Sequence, residues 1–149
     1  PAILGLYADI FESRRAWPDL ERVALDWTRA HPGSAPAWRA LAMAQWETGY
    51  PQRALQSFTT SLDIGGRDAD SLAVLGRISL HALDLEGAAK ALDGAESLDA
   101  QNITMLSAKA MLLMWNGRYE DAKAYCRRSL VVNPDDVAAY KTLTQIANG

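Results

Sequence analysis

Cysteine is almost absent from this chain, which has one, Cys126, among its 149 residues. A lone cysteine forms no disulfide within the chain, so the fold does not depend on an oxidising compartment. No apolar run approaches the roughly 20 residues that a helix needs to cross a bilayer. The amino end reads PAILGLYADIF and lacks the basic start and long apolar stretch of a signal peptide. We therefore expect no membrane span and a cytoplasmic location, with the periplasm as the alternative.

Basic residues are too few and too scattered to form a nucleic-acid surface. The chain has 15 Lys and Arg against 18 Asp and Glu, which gives a net charge of -3. Basic pairs occur at Arg14-Arg15 and Arg127-Arg128, but neither extends into the cluster that a nucleic-acid interface requires. Solvated helix faces explain such pairs, and no nucleic-acid partner is expected.

Residues that carry catalysis are also scarce. The chain has two histidines, His31 and His81, and they lie far apart in the sequence. His81 stands three residues before Asp84, a spacing that suits two metal ligands, but no third ligand accompanies them. Gly65-Gly66 lacks the third glycine, the lysine and the preceding strand of a phosphate-binding loop. Cys126 falls at a predicted core position, which indicates an inert thiol. We expect no enzyme activity, no cofactor and no metal.

What the sequence does contain is a period of 34 residues. When the chain is cut at residues 1, 35, 69 and 103, the four segments align without a gap. The fourth position is large and apolar, the eighth is small enough to let a second helix approach, and the twentieth is alanine in three segments. These columns are Leu4, Trp38, Leu72, Leu106 and Tyr140, then Ala8, Ala42, Gly76, Ala110 and Thr144, then Leu20, Ala54, Ala88 and Ala122.

Helix-breaking residues agree with this division. Pro18 and Pro51 fall where a second helix should begin, and proline is tolerated in a first helical turn. Gly49 and Asn116-Gly117 follow the predicted first helices of their segments, where a left-handed residue ends a helix. No alternating run of β-branched residues predicts a strand. We therefore expect nine helices and no sheet.

Two helix starts carry candidate N-caps. Ser34 precedes the third helix, and Asn133-Pro134-Asp135 is predicted to cap the last one. The last helix would place Val137, Tyr140, Leu143 and Thr144 on one apolar face. It would either cover the end of the array or begin a fifth segment, and the sequence leaves both interpretations open.

The first segment departs from the other three. It has Leu20 where they have alanine, and Ala24 where two of them have Phe58 and Leu92. Large and small residues have exchanged places, which a core tolerates when the total volume is kept. Trp27 replaces a small residue of the later segments, so it either fills this altered core or docks a preceding helix pair.

The segment from Ala35 to Asp68 resembles a tetratricopeptide repeat, through Trp38, Leu41 and Ala42 before a Gly-Tyr-Pro break and Ala54 and Phe58 after it. The resemblance implies that these five residues pack the helices of successive repeats against one another. It implies an all-α fold, a right-handed superhelical stack of antiparallel helix pairs (an α-solenoid). The predicted single domain has four 34-residue repeats at 1–34, 35–68, 69–102 and 103–136, plus a capping or truncated-repeat helix at 137–149.

In this family the first helices of successive repeats line a concave groove, and ligands meet the second, fifth, ninth, twelfth and thirteenth positions. Those positions here are Asp9 and Glu12, Arg39, Met43, Trp46 and Glu47, Asp70, Arg77, Leu80 and His81, Ser107, Met111, Met114 and Trp115, and Lys141 and Gln145. The candidate binding residues among them are Arg39, Met43, Trp46, Arg77, His81, Met111, Met114, Trp115 and Lys141. Methionine and tryptophan suit an adaptable apolar contact. The alternative is that Trp46, Met114 and Trp115 pack between helices and expose little.

The resemblance implies a non-catalytic scaffold that binds a protein or peptide partner. It does not extend to the members that clamp a chaperone's terminal carboxylate with lysine and asparagine, because Gly5 and Asp9 stand at those positions. A second hypothesis is an accessory domain of a larger bacterial enzyme, of sulfotransferase or glycosyltransferase type, or of an envelope polysaccharide-export protein. This is analogy of fold, suggested by a chain that opens on Pro1 and stops at Gly149. Self-association through the end repeats is a third hypothesis.

Overall fold

The computed structural model describes residues 2–149, without the side chain of Ala2, and this part of the chain forms nine α-helices and no strand. Turns of three or four residues join the neighbouring helices. The helices are α1 (Ala2–Ser13), α2 (Trp17–Ala30), α3 (Ala35–Glu47), α4 (Pro51–Gly65), α5 (Ala69–His81), α6 (Leu85–Leu98), α7 (Ile103–Trp115), α8 (Tyr119–Val132) and α9 (Val137–Asn148). The predicted all-α architecture is confirmed.

The chain divides into two compact units. The N-terminal unit comprises residues 1–67 and contains α1 to α4, and the C-terminal unit comprises residues 68–149 and contains α5 to α9. Within each unit the strongest packing joins the two helices of one 34-residue segment, such as α3 with α4 and α5 with α6. The short turns and the apolar faces of the paired helices account for this arrangement.

The core of the N-terminal unit contains the exchanged residues of the first segment. Leu20 and Ala24 are fully buried, and they pack with Ala8 and with residues of α3. Trp27 lies 3.4 Å from the place where a β-carbon on Gly5 would be, so it packs on α1. Trp27 therefore helps to fill the altered core of its own segment.

The predicted stack-building residues of the second segment are nearly all buried. Leu41, Ala42, Ala54 and Phe58 lie in the interior. Trp38 is only half-buried and packs at the edge of the core. Its indole Nε1 donates a hydrogen bond to the carbonyl oxygen of Pro32 at 2.8 Å. The indole N–H of a tryptophan usually finds a hydrogen-bond partner, and this polar end of the side chain commonly stays at the surface.

The core of the C-terminal unit joins α5, α6 and α7 in one cluster. Its largest fully buried side chains are Leu80, Leu92, Met105 and Leu106. A smaller cluster joins α7, α8 and α9 and contains Cys126. The predicted burial of this cysteine is confirmed.

The turn inside each segment has a left-handed residue at the same place. The φ angles are 54° at Arg15, 90° at Gly49, 63° at Leu83 and 77° at Gly117, so these residues recur every 34 positions. Glycine adopts this conformation without strain, whereas arginine and leucine do so at a cost. The prediction for Gly49 and Gly117 is confirmed, and Pro18 and Pro51 do lie in first helical turns.

Four N-caps also recur every 34 residues. The side chains of Ser34, Asp68, Asn102 and Asp136 accept backbone N–H hydrogen bonds at the starts of α3, α5, α7 and α9. The prediction for Ser34 is confirmed. The prediction that Asn133-Pro134-Asp135 caps α9 is wrong, because Asn133 instead accepts the backbone N–H of Asp135 in a turn before the helix.

Helix α9 packs through a different face from the predicted one. Val137, Tyr140 and Thr144 are exposed, while Ala139 and Thr142 are buried and Leu143 is half-buried. The prediction followed the large apolar residues. The packed face instead uses small residues, because α9 lies close to Ala110 and Cys126. Only Leu143 of the predicted set belongs to the packed face.

Candidate binding surface

The first helices of the C-terminal unit lie side by side, since α7 packs against α5 and also against α9. On α5, Arg77 and His81 are exposed one turn apart, and Nδ1 of His81 lies 2.9 Å from the carbonyl oxygen of Arg77. On α9, Lys141 is exposed. Arg77 and His81 on α5 and Lys141 on α9 are therefore accessible to solvent.

The helix between them presents the apolar candidates. Met111 and Met114 are half-buried, and Met111 packs against the core of the C-terminal unit. Trp115, in the last turn of α7, is 44% exposed. It does not pack away between helices, as the alternative interpretation required. A large apolar side chain on the surface next to a half-buried methionine offers contact area that the core does not use.

Helix α3 presents the corresponding residues of the N-terminal unit. Arg39 and Glu47 are exposed, while Met43 and Trp46 are half-buried. Neither of these two apolar side chains is completely packed away, and both leave part of their surface accessible. On α1, Asp9 is exposed and Glu12 is half-buried.

Three residues of the predicted groove have structural contacts. Leu80 is fully buried in the core of the C-terminal unit, so its assignment to the groove is wrong. At the same twelfth position of the second segment, the larger Trp46 is only half-buried. Ser107 donates a hydrogen bond to the N-cap Asp136 at 2.7 Å, and Asp70 accepts one from Asn102.

A charged cluster that joins α6, α7 and α8 was not predicted. Lys109 is largely buried, and its Nζ donates to Asp93 at 2.7 Å and to Glu96. The hydroxyl of Tyr125 donates to Glu96 at 3.0 Å, and Arg128 donates to Glu96 at 3.1 Å and stacks over the Tyr125 ring. These partners are up to 32 residues apart in the sequence. The available signal was a lysine at a position where the two preceding segments have Leu41 and Leu75.

The electrostatics of this cluster favour the charged forms. Burial alone raises the pKa of Glu96, but hydrogen bonds from Lys109, Tyr125 and Arg128 outweigh it and lower that pKa. Burial likewise opposes the charge on Lys109, and its hydrogen bonds to Asp93 and Glu96 raise its pKa instead. Each charge is held by an opposite partner, so the cluster is a cross-link between helices rather than a proton donor or acceptor for chemistry.

A second polar cluster surrounds the N-cap of α9. Asp136 is buried and accepts hydrogen bonds from the hydroxyls of Ser107 and Ser129. Burial opposes its ionisation, but these bonds and the backbone N–H groups of α9 lower its pKa. Burial and the nearby Asp136 carboxylate raise the pKa of Cys126. The thiol is therefore poorly suited to act as a nucleophile.

Neither a metal site nor a membrane span emerges from residues 2–149. The described side chains include no group of three or more His, Cys, Asp and Glu that could hold a metal ion. Among the helices of this region, none combines the length and the apolar character needed to cross a membrane.

Comparisons with known proteins agree with the fold. A family model described as Tetratricopeptide repeat matches residues 79–146, inside the C-terminal unit. No curated protein matches the chain in sequence. Among solved structures, MamA superposes with a TM-score of 0.83 at 16% identity, over 99% of this chain and 80% of MamA.

Two further structures show the same similarity. The pilF protein of Pseudomonas aeruginosa gives a TM-score of 0.80 at 17% identity, over 99% of this chain and 67% of its own. YrrB, described as a TPR protein with an unusual peptide-binding site, gives 0.75 at 15% identity, over 95% of this chain and 73% of its own. At these identities the similarity establishes a shared fold, an all-α helical-repeat solenoid.

Proposed function

We propose that this chain, a member of the tetratricopeptide repeat family, is a non-catalytic scaffold that binds a peptide segment of a protein partner. The proposed contact surface lies on the first helices of the C-terminal unit and consists of Arg77, His81, Met111, Met114, Trp115 and Lys141. The family is one of interaction scaffolds, and YrrB, which shares the fold, has a peptide-binding site.

The observation that carries the proposal is the exposure of Trp115. The core of the C-terminal unit is complete without it, since α7 contributes Met105, Leu106 and Leu112 to that core. Exposing tryptophan to water is unfavourable unless a partner covers it, and tryptophan is enriched among the residues that dominate binding energy. Met114 next to it supplies an adaptable apolar surface.

The charges around this surface favour an acidic segment. Arg77 and Lys141 are exposed on the helices that lie on either side of α7. The acidic residue of the same face, Asp70, already accepts a hydrogen bond from Asn102. Complementary charge at the rim of an interface raises the association rate and orients the ligand. We therefore propose a ligand with an apolar centre and acidic flanks.

The face of α3 is proposed as a second contact surface, in the N-terminal unit. It carries Arg39, Met43 and Trp46, and it repeats the combination of one basic residue with two partly exposed apolar ones. Met43 and Trp46 are half-buried, so each leaves part of its side chain accessible to a partner. The two surfaces are tested separately, so that each proposal stands on its own variants.

A displayed library of random peptides, selected on the whole chain, tests the proposal. We expect the selected peptides to be acidic with apolar residues, and we expect Trp115→Ala to weaken their binding about tenfold or more, as loss of an anchor residue does. Tyr119→Ala is the matched control, because Tyr119 is an aromatic residue of similar exposure on α8. Equal binding by wild type and the Trp115→Ala variant would refute the C-terminal surface.

Charge reversal tests the acidic preference. Arg77→Glu should weaken binding and remove most of its dependence on salt, whereas Arg127→Glu on the exposed side of α8 should leave both unchanged. Trp46→Ala and Arg39→Glu test the α3 surface in the same assay. If the peptides bind both of these variants with the affinity that they have for the wild type, α3 takes no part in the interaction.

A further inference from the structure

Two hydrogen bonds fix how the first helices of the C-terminal unit are aligned with one another. Asn102, the N-cap of α7, donates through its side-chain amide to Asp70 in the first turn of α5. Ser107, in the second turn of α7, donates through its hydroxyl to Asp136, the N-cap of α9, at 2.7 Å. The short turns reverse the chain twice between α5 and α7 and twice between α7 and α9, so the three helices run in the same direction.

This alignment brings the basic residues of the surface to nearly the same level along the helices. Counted from the first of these hydrogen bonds, Arg77 lies seven residues further along α5, at the level of residue 109 on α7. Counted from the second, Lys141 lies five residues further along α9, at the level of residue 112 on α7. At a rise of 1.5 Å per residue the two levels differ by about 4–5 Å. Met111 lies between them, so the three residues form a row across α5, α7 and α9.

The two ends of this row are basic and its centre is apolar. Arg77 and Lys141 are exposed, and in the described part of the chain neither forms an ion pair. Met111 is half-buried, and Trp115, one turn further along α7, is 44% exposed. A ligand that covers the row is therefore complementary when it has an acidic group at each end and apolar side chains between them.

The distance between the two basic residues selects the form of the ligand. Neighbouring packed helices have axes about 8–10 Å apart, so α5 and α9, on either side of α7, are about 16–20 Å apart. An extended chain rises about 3.3 Å per residue and covers this distance in about six residues. A helix needs about 11–13 residues for the same distance. Ordering each residue costs conformational entropy, so the shorter, extended ligand is favoured.

The side chains of an extended ligand alternate between two faces, so every second residue meets the surface. We propose that the ligand is an extended segment that crosses α5, α7 and α9, with acidic residues at positions i and i+6 and apolar residues at i+2 and i+4. The acidic residues then pair with Arg77 and Lys141, and the apolar ones cover Met111 and Trp115. This inference rests on the proposed function, because it specifies the ligand of the same surface.

Synthetic peptides of identical composition test the spacing. The apolar residues stay at i+2 and i+4, and the second acidic residue is placed at i+5, i+6 or i+7. Binding is measured by fluorescence anisotropy of labelled peptides at low ionic strength. We expect the i+6 peptide to bind at least about threefold more tightly than the other two, since a shift of one residue turns one carboxylate away and removes one exposed ion pair.

A charge exchange tests which residues meet the two ends. In two further peptides, lysine replaces the acidic residue at i or at i+6, and each should bind the wild type about tenfold more weakly than the i+6 peptide does, because attraction becomes repulsion. Arg77→Glu should restore the affinity of only one of these peptides, and Lys141→Glu that of only the other. Arg127→Glu, at an exposed residue of α8, is the matched control and should restore neither. Circular dichroism verifies that each variant stays helical.

The outcomes separate this inference from the proposed function. Peptides that need Trp115 for binding but show no preference for the i+6 spacing would overturn the inference and leave the proposed function standing. Restoration of both lysine peptides by one variant, or of neither by any, would also overturn it. So would tighter binding of a helix-forming peptide with apolar residues between acidic residues at i and i+11. Failure of every peptide to bind the wild type would overturn both proposals.

Discussion

A β-carbon added to Gly76 would lie 2.5 Å from the side chain of Leu92. This contact joins α5 and α6 at the eighth and twenty-fourth positions of the third segment. The other segments have alanine at the eighth position, and the residues opposite are Ala24, Phe58 and Cys126. The glycine is therefore matched to the particular direction in which Leu92 approaches.

Gly76→Ala should destabilise the chain although it replaces glycine in a helix. Alanine gains about 1 kcal/mol in helix propensity, but overpacking a core costs about 1–3 kcal/mol. At 2.5 Å the steric term should dominate, so we expect a net loss of about 0.5–2 kcal/mol in the free energy of unfolding. Urea titration followed by circular dichroism measures it.

A second substitution distinguishes steric conflict from other causes. Gly76→Ala combined with Leu92→Cys recreates the alanine and cysteine pair of Ala110 and Cys126. The double variant should be more stable than the two single effects predict, because the smaller side chain removes the conflict. A Gly76→Ala variant that is more stable than wild type would contradict the prediction.

The fold could be predicted from the sequence because it depends on residue type at a fixed period. A small residue at the eighth position, and alanine at the twentieth in three of the four segments, mark the places where two helices touch, so the pattern is visible without a structure. The same period also contained the caps Ser34, Asp68, Asn102 and Asp136. Three of them were missed, since short polar residues are common in loops and only the recurrence marks them.

Replacing Leu83 by glycine should stabilise the folded chain. Its φ of 63° is strained for leucine, and the side chain is 76% exposed, so it contributes little packing. A left-handed conformation costs a non-glycine residue about 1–2 kcal/mol, part of which is offset by the greater freedom of glycine in the unfolded chain. We expect Leu83→Gly to raise the free energy of unfolding by up to about 1 kcal/mol.

The reverse change, from a left-handed glycine to alanine, is the control for the effect of this conformation on stability. Gly117 has a φ of 77° and open space around its α-carbon, so Gly117→Ala adds strain without a clash and should destabilise the chain. Gly33 is equally open but is not left-handed, and Gly33→Ala should be neutral or stabilising. Thermal unfolding of the three variants checks the set. A destabilised Leu83→Gly variant would show that Leu83 makes a stabilising contact.

The candidate surface was harder to predict than the fold. The resemblance to a tetratricopeptide repeat assigned Arg77, Trp115 and Lys141 to accessible positions, and all three side chains are exposed. It failed for Leu80, since a position at the edge of a face is buried or exposed according to side-chain size and to the neighbouring helix. It also missed the contacts of Lys109, which depend on the packing of three helices.

Asp136 should make stability depend on pH in the acid range. Its pKa is lowered in the folded chain, so the folded state binds its proton less readily than the unfolded state does. The resulting stabilisation is complete above the unfolded pKa of about 3.9 and is lost as the pH falls through that value towards the folded pKa. Asp136→Asn keeps a residue that can cap a helix, as Asn102 does, but removes the charge.

We expect Asp136→Asn to cost about 1–3 kcal/mol at pH 7, because the hydroxyls of Ser107 and Ser129 lose a charged acceptor. The difference from wild type should shrink between about pH 5 and pH 2. Asp135→Asn, at an exposed residue next to it, is the control and should not change this profile. Parallel profiles for wild type and Asp136→Asn would show that the carboxylate is not stabilised in the folded chain.

Lys109 should contribute more to the free energy of unfolding than an exposed lysine in an ion pair does. Its ammonium group is largely buried between Asp93 and Glu96, and it also lies 5.3 Å from the centre of the Tyr125 ring. Lys109→Met keeps the length of the side chain but leaves Glu96 in its partly buried site with fewer donors. We expect a loss of about 1–3 kcal/mol, in the range of a hydrogen bond to a charged group.

Lys123 provides the comparison within the same chain, because it pairs with Glu120 at 3.1 Å on the surface of α8. Lys123→Met should change the free energy of unfolding by about 0.5 kcal/mol or less. In 1 M salt the small effect of Lys123→Met should disappear, while most of the Lys109→Met effect should persist, since salt screens exposed pairs more than partly buried ones. Equal losses for the two variants would mean that the Lys109 cluster contributes no more than a surface ion pair.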